Sequence, residues 1–226
     1  MGQNMSEKNN RFKYALFASI CLAVFCMGMF LFLLIKYKLS GNFDLDAHLI
    51  NFSNKIQNQG LTNFFKVITH FGSMLTVAIL AVIMAIICKP IWVKIFAIVN
   101  VGFVGAFCFV VKHIIKRPRP EGIALITETG FSFPSAHTMG SVVFYGFLVF
   151  LIWKYLKNKP LKIIFSIILP LLAILIGYTR VYLGVHFATD VIAGLLAGIA
   201  YLAVAIILFM FLEKKIKFKG GKNEKK

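Results

Sequence analysis

The sequence predicts an all-helical integral membrane protein, on the basis of composition, the length of its apolar runs and the absence of a strand pattern. Of 226 residues, 59% are hydrophobic, and the mean hydropathy is +0.83. A soluble domain needs a largely polar surface, so this composition excludes one. Several apolar runs reach the roughly 20 residues that cross a hydrocarbon core of about 30 Å. They lack the alternation of barrel strands, and an open sheet edge in lipid would leave backbone groups unpaired.

We predict six spans that form a single domain over residues 1–226, a six-transmembrane-helix bundle. In chain order the spans are residues 14–35, 61–87, 91–111, 136–153, 161–179 and 187–212. The first run exceeds a signal-peptide core and is followed by Lys36-Tyr37-Lys38, which predicts an uncleaved span. The polar stretch 41–60 is read either as an amphipathic helix that starts near Asp44 and lies along the outer interface, or as a plain connector.

The distribution of charge predicts the orientation of the bundle. Sixteen of the 25 Lys and Arg residues lie in the termini and in the loops after spans two and four, which places both termini in the cytoplasm. The net charge of +17 is explained by lysines that face lipid headgroups, among them those of the tail 214–226. We therefore expect no nucleic-acid partner. The other, extracytoplasmic side carries five of the eight acids and all five histidines: His48, His70, His113, His137 and His186. We therefore expect the chemistry on that side.

The first of three polar segments places Lys112 and Arg119 at the end of the third span, where Pro118 and Pro120 stop the helix. The planar guanidinium of Arg119 can bind two phosphate oxygens, and Lys112 adds a compact positive charge. The alternative at this point is a basic patch beside the membrane that has no catalytic role.

The second segment, Pro134-Ser135-Ala136-His137, directly precedes an apolar run. Ser135 stands at the N-cap position, where free backbone amides, the helix dipole and the hydroxyl favour an anion. A serine that only caps the helix would give the same pattern.

The third segment joins the fifth and sixth spans and contains Thr179, Arg180, His186 and Asp190. A spacing of four residues puts His186 and Asp190 on one helix face, so the carboxylate can orient the imidazole. Ionisable groups beside a span are costly and usually functional, which favours catalysis over a purely structural pair.

These residues resemble the three motifs of the type 2 phosphatidic acid phosphatase superfamily, KxxxxxxRP, PSGH and SRxxxxxHxxxD. The matching positions are Lys112 with Arg119-Pro120, then Pro134 to His137, then Thr179-Arg180 with His186 and Asp190. Two positions depart from the pattern: Ala136 replaces glycine and Thr179 replaces serine. Neither substitution removes a catalytic group, although the Ala136 methyl narrows the approach to phosphate.

The resemblance implies a lipid-phosphate phosphatase that works through a phosphohistidine on His186. Asp190 would hold the His186 tautomer, and His137 would protonate the leaving oxygen and then activate water. The phosphate-binding groups it implies are Lys112, Arg119, Ser135, Ala136 and Arg180. No metal or other cofactor is expected, because the loop acids Asp44, Asp46, Glu121 and Glu128 are scattered and are predicted to face solvent.

The expected partner is a membrane lipid phosphate, with its chain entering sideways between helices. Undecaprenyl pyrophosphate and phosphatidylglycerophosphate are the leading substrates for a compact, bacterial-looking chain of this family, and phosphatidic acid is the alternative. A non-enzymatic lipid-phosphate binder or transporter would need the cations but not the His–Asp pair. The superfamily also contains vanadium-dependent haloperoxidases, but those are soluble. The residues do not specify the oligomeric state.

Overall fold

The computed structural model describes the backbone of residues 2–41, 43–122 and 124–223 and the side chains of residues 10, 13–41, 43–122 and 124–215. The ends of the predicted 1–226 domain and most of the lysine-rich tail therefore lie outside the described side chains. Within the described ranges the chain is helical and contains no strand, as predicted. The helices are α1 (Gly2–Ser40), α2 (Asp44–Ile56), α3 (Gln59–His70), α4 (Met74–Ile87), α5 (Ile91–Ile115), α6 (Ala136–Tyr155), α7 (Lys159–Tyr182) and α8 (Ala188–Asn223).

Five of these helices are long and apolar enough to cross a membrane. They are α1 over Lys13–Ser40, α5, α6, α7, and α8 over Ala188–Lys215. Helices α3 and α4 meet the same criterion only as a pair, bent by 45° at a short break. The described chain thus has five candidate spans, or six if the bent pair is one span. The chain is a multi-pass membrane protein.

The prediction of one continuous helix for the second span, residues 61–87, is wrong, because the helix is interrupted at residues 71–73. Ser73 caps α4 by accepting a hydrogen bond from the backbone N–H of Thr76 at 3.1 Å. A Cβ on Gly72 would lie 2.3 Å from Ile176 Cγ2 and 2.8 Å from Ser141 Oγ, so the break packs closely on α6 and α7. The sequence at the break contains Gly72 and the N-cap Ser73, which are local signals for a helix end that the prediction of one span overlooked.

Helix α6 is the centre of the bundle and packs against α4, α5, α7 and α8, while α1 packs mainly on α8. At its N-terminal end α6 nearly touches the backbone of α8. A Cβ on Gly194 would lie 2.7 Å from the carbonyl oxygen of Ser135 and 3.1 Å from Thr138 Cβ. Small residues that let backbones approach are typical of helix contacts in membranes. This contact fixes the start of α8 against the start of α6.

A helix does begin at Asp44, as the amphipathic interpretation of residues 41–60 predicts, and α2 packs against α7 and α8. Asp44 and Glu121 are exposed, as predicted for loop acids. The prediction was wrong for Asp46, which is only 5% exposed, and for Glu128, whose side chain is 27% exposed. Both carboxylates pair with arginines, so their charges are neutralised inside the protein.

We predict that Gly194→Ala lowers the melting temperature of the detergent-purified protein. The added methyl group cannot fit against the Ser135 carbonyl without moving α8, and such overpacking typically costs about 1–3 kcal/mol. Gly102→Ala is the matched control, because a methyl group added at this position on α5 would have no atom within 4 Å. Equal melting temperatures for Gly194→Ala and wild type would contradict the close packing of α6 on α8.

Candidate active site

The three predicted segments converge at one end of the bundle. Lys112 lies in the last turn of α5, Arg180 in the last turn of α7 and Asp190 in the first turn of α8. His137 is the second residue of α6, and His186 lies in the short connection between α7 and α8. The positive charges of Lys112 and Arg180 act on both histidines. Helix ends from distant parts of the sequence therefore form one polar site.

His186 and Asp190 form the pair that their spacing predicts. Nδ1 of His186 lies 3.4 Å from Oδ2 of Asp190, and the two residues are 2% and 0% exposed. The Phe187 N–H donates to the same carboxylate oxygen at 2.9 Å. The other imidazole nitrogen, Nε2, accepts a hydrogen bond from Nη1 of Arg119 at 3.3 Å. Catalytic hydrogen bonds are often long before a substrate binds, so this arrangement can orient His186 with Nε2 facing the cations.

Burial and positive neighbours keep His186 neutral. Desolvation, followed by the charges of Arg180, Lys112 and Arg119, lowers the pKa of His186 well below its ordinary value. Burial also lowers the pKa of the Arg119 guanidinium, an effect that the charges of Glu128 and Asp190 oppose. Only a neutral imidazole has a lone pair with which to attack phosphorus. The surrounding charges thus favour the nucleophilic form of His186.

Arg180 is 1% exposed and is held from two sides. Nη1 donates to the Thr69 hydroxyl at 2.7 Å, and Nη2 donates to Oε1 of Glu128. Its buried Nε has no hydrogen-bond partner among the described residues. A buried donor without an acceptor is costly, so this guanidinium has capacity for one more oxygen.

Lys112 and Arg119 also hold the loop that joins α5 to α6. Lys112 donates to the carbonyl of Phe131, and Arg119 donates to the carbonyls of Thr129, Gly130 and Val185 at 2.8–3.1 Å. These bonds fix where the two cations lie relative to His186. Both residues thus have a structural contact in addition to the phosphate contact that the motif implies.

Ser135 occupies the predicted N-cap of α6. Its hydroxyl oxygen accepts from the Thr138 N–H at 3.4 Å and from the Thr138 hydroxyl at 2.9 Å, and its own N–H donates to the Asp190 carbonyl at 3.0 Å. Ala136 and His137 are the first two residues of the helix, where N–H groups have no acceptor within the helix. The amide of Ala136 is therefore better placed to bind an anion than the amide of Ser135.

A buried network beside Asp190 was not predicted. Arg117 is 3% exposed and donates to Asp190 Oδ1 at 2.6 Å and to Asp46 Oδ2 at 2.6 Å, and it lies over the Phe187 ring at 4.1 Å. Asp46 also accepts from the N–H and hydroxyl of Thr189, each at 2.8 Å. The sequence did contain a signal, because Asp46 shares a helix face with Leu49 and Ser53 at spacings of three and seven residues.

The described residues contain no group of three or more His, Cys, Asp or Glu side chains placed to hold a metal ion. Each carboxylate near His186 is instead bound to an arginine. This donor set fits an anion that binds to cations rather than a metal that binds to carboxylates.

Comparison with known proteins agrees with the motif resemblance. Residues 90–215 match the family model described as the PAP2 superfamily. The chain is 38% identical over 110 residues to phosphatidylglycerophosphatase B of Bacillus subtilis (strain 168), covering 48% of this chain and 52% of that protein. It is 40% identical over 109 residues to the putative undecaprenyl-diphosphatase YbjG of Escherichia coli (strain K12), covering 46% and 50%. The chain thus matches about half the length of these curated relatives.

A solved structure extends the similarity to most of the fold. The crystal structure of a transmembrane PAP2 type phosphatidylglycerolphosphate phosphatase from Bacillus subtilis superposes with a TM-score of 0.76 at 29% sequence identity. The superposition covers 86% of this chain and 96% of that one. The family match spans more than half of the sequence and contains all three motifs. The chain belongs to the PAP2 superfamily.

Proposed function

We propose that the protein is a metal-independent lipid-phosphate phosphatase that forms a phosphohistidine on His186. The observation that carries the proposal is a buried imidazole held between the Asp190 carboxylate and a cluster of cations. The named relatives act on phosphatidylglycerophosphate or undecaprenyl pyrophosphate, according to their names. One of these two lipids is the proposed substrate, and phosphatidic acid is the alternative.

In the first step Nε2 of His186 attacks phosphorus in line, and the bond from phosphorus to the leaving oxygen breaks. Asp190 accepts a hydrogen bond from Nδ1 and stabilises the positive charge that develops on the ring. Lys112, Arg119, Arg180, the Ser135 hydroxyl and the Ala136 amide bind the phosphoryl oxygens, as the family motifs imply. Charges fixed in advance stabilise a phosphoryl transition state without reorganisation.

His137 is the proposed acid and base. It protonates the departing lipid or phosphate oxygen, and then takes a proton from the water that cleaves the phosphohistidine. It is the second residue of α6, at the same end of the bundle as Arg180 and His186. Inorganic phosphate leaves, and His186 returns to its neutral form.

An apolar cavity supports a lipid substrate. It has a volume of about 850 Å³ and opens between α1, α5 and α8. Phe107 and Met139 line it, and Met139 Sδ lies 3.7 Å from Cys108 Sγ, one helical turn from Lys112. An acyl or prenyl chain in this cavity would place its headgroup near the cations.

We further propose that the site faces the extracytoplasmic side of the cell membrane and that both termini are cytoplasmic, as the charge distribution predicts.

The proposed reaction predicts phosphate release by purified protein in the presence of EDTA, with loss of turnover in His186→Ala. The three lipids named above are compared as substrates in the same detergent, and the fastest identifies the physiological class. His113→Ala is the matched control, because His113 is exposed on α5 and its Nδ1 is hydrogen-bonded to the Phe109 carbonyl of its own helix. Release that requires a divalent cation, or that survives in His186→Ala, would contradict the mechanism.

Arg117 is proposed to position Asp190, and this role predicts a selective loss of kcat. Arg117→Lys keeps the charge but removes the fork that joins Asp46 to Asp190. We expect kcat to fall at least about tenfold, equal to about 1.4 kcal/mol, with a smaller change in KM. Lys116→Asn is the control, because Lys116 is exposed and asparagine accepts its left-handed backbone. An increase in KM at unchanged kcat would assign Arg117 to substrate binding instead.

The lowered pKa of His186 predicts that the ring stays neutral in mildly acidic solution. Nitrogen-15 spectra of histidine-labelled protein should show a neutral His186 at about pH 5.5, a full unit below the ordinary pKa of about 6.5. His186→Gln assigns the signal. The unfolded chain binds this proton and the folded chain does not, so the His186 contribution to stability falls as the pH drops below about 6.5. A signal that titrates near the ordinary value would contradict the burial and charges described here.

A further inference from the structure

Glu128 lies among the cations of the proposed phosphate site, although no family motif includes it. It belongs to the loop between α5 and α6. Its Oε1 accepts from Nη2 of Arg180, and its Oε2 lies 3.8 Å from Nη2 of Arg119. Its charge also acts on Lys112. A single carboxylate thus contacts or faces the same three cations that would bind the phosphoryl oxygens.

The geometry differs from that of a saturated ion pair. In a pair of arginine and carboxylate, two guanidinium nitrogens frequently bind the two carboxylate oxygens in parallel. Glu128 binds only Nη2, and the buried Nε of Arg180 has no partner among the described residues. Glu128 thus offsets one of the three positive charges around it, and the site still has an unused donor. A tetrahedral phosphoryl group has three oxygens and could satisfy donors that one carboxylate leaves open.

The Glu128 side chain also reaches solvent from this position. Its side chain is 27% exposed, whereas that of Arg180 is 1% exposed. Rotation toward water would therefore rehydrate the carboxylate while the guanidinium stays in place. A fixed anion of this kind is always present at high local concentration, so an incoming anion must compete with it.

We propose that Glu128 is an internal counter-anion that sets a charge threshold for the phosphate site. A terminal phosphate carries a charge of about −1.5 to −2 near neutral pH and gains attraction when it replaces the single charge of Glu128. The headgroup of a phosphodiester lipid carries one charge and gains none by the exchange. Glu128 would in this way keep abundant phosphodiester lipids out of a basic site that opens to the bilayer. The inference rests on the proposed function for its biological meaning, but it concerns binding alone.

The test measures binding rather than turnover. Isothermal titration of inorganic phosphate into detergent-purified protein is performed with and without phosphatidylglycerol in the micelles. The variants are Glu128→Gln and, as a second substitution that lacks any acceptor, Glu128→Ala. Glu121→Gln is the matched control, because Glu121 is an exposed acid of the same loop. Gel filtration selects variants that are folded and monodisperse.

We expect both Glu128 variants to bind inorganic phosphate about three- to tenfold more tightly, since the competing charge is gone. Phosphatidylglycerol should weaken phosphate binding to these variants and leave wild type and Glu121→Gln nearly unaffected. Phosphate affinity that is unchanged or reduced in both variants would overturn the proposal and make Glu128 a support for Arg180. Equal competition by phosphatidylglycerol in every protein would also overturn it.

The outcome is separable from that of the proposed function. If wild type releases no phosphate from any lipid but the Glu128 variants bind phosphate more tightly, the phosphatase proposal fails and the counter-anion stands. If wild type hydrolyses lipid phosphate and the variants bind phosphate no better, the counter-anion alone fails.

Discussion

The bridge from Asp46 through Arg117 to Asp190 is the interaction on which the site depends. Each member is at most 5% exposed, so breaking one contact would leave an uncompensated charge inside the protein. The bridge ties α2 to the start of α8 and fixes the carboxylate that faces His186. Buried ion pairs contribute little net stability, but removing one partner is strongly destabilising because the other charge stays buried and unpaired. Here the bridge holds Asp190 and the imidazole together.

The cations around His186 act on it in two ways. Together with burial they lower the pKa of His186, which keeps the ring neutral. They would also bind the phosphoryl group that the ring attacks. A cluster of positive charge in a desolvated site is itself unfavourable unless anions balance it. The carboxylates of Asp46, Asp190 and Glu128 offset three of the four positive charges of Lys112, Arg117, Arg119 and Arg180. We attribute different functions to them, because Asp46 and Asp190 are buried whereas Glu128 is partly exposed.

Much of the fold and most residues of the candidate site could be predicted from the sequence. Apolar runs of sufficient length identified the helices, and motif spacing identified Lys112, Arg119, His137, Arg180, His186 and Asp190, which the structure brings to one end of the bundle. The break at residues 71–73 was missed although Gly72 and the N-cap Ser73 are local signals for it, because the apolar residues on either side were read as one span. The burial of Asp46 and the pairing of Glu128 depend instead on contacts between distant parts of the sequence. Their partners, Arg117 and Arg180, are 71 and 52 residues away in the sequence, and polarity alone predicted solvent exposure.

The central claim is that phosphate passes through a covalent bond to His186. The most direct test is to mix the protein with a terminal-phosphate lipid, quench at alkaline pH, where phosphohistidine is stable, and locate the phosphoryl group by mass spectrometry of the peptides. His137→Gln should be included, because loss of this acid and base would slow both the formation and the breakdown of the intermediate. We expect a phosphoryl group on His186 in wild type, and none in His186→Ala. Phosphate release without any modified histidine, or with the group on another residue, would contradict the claim.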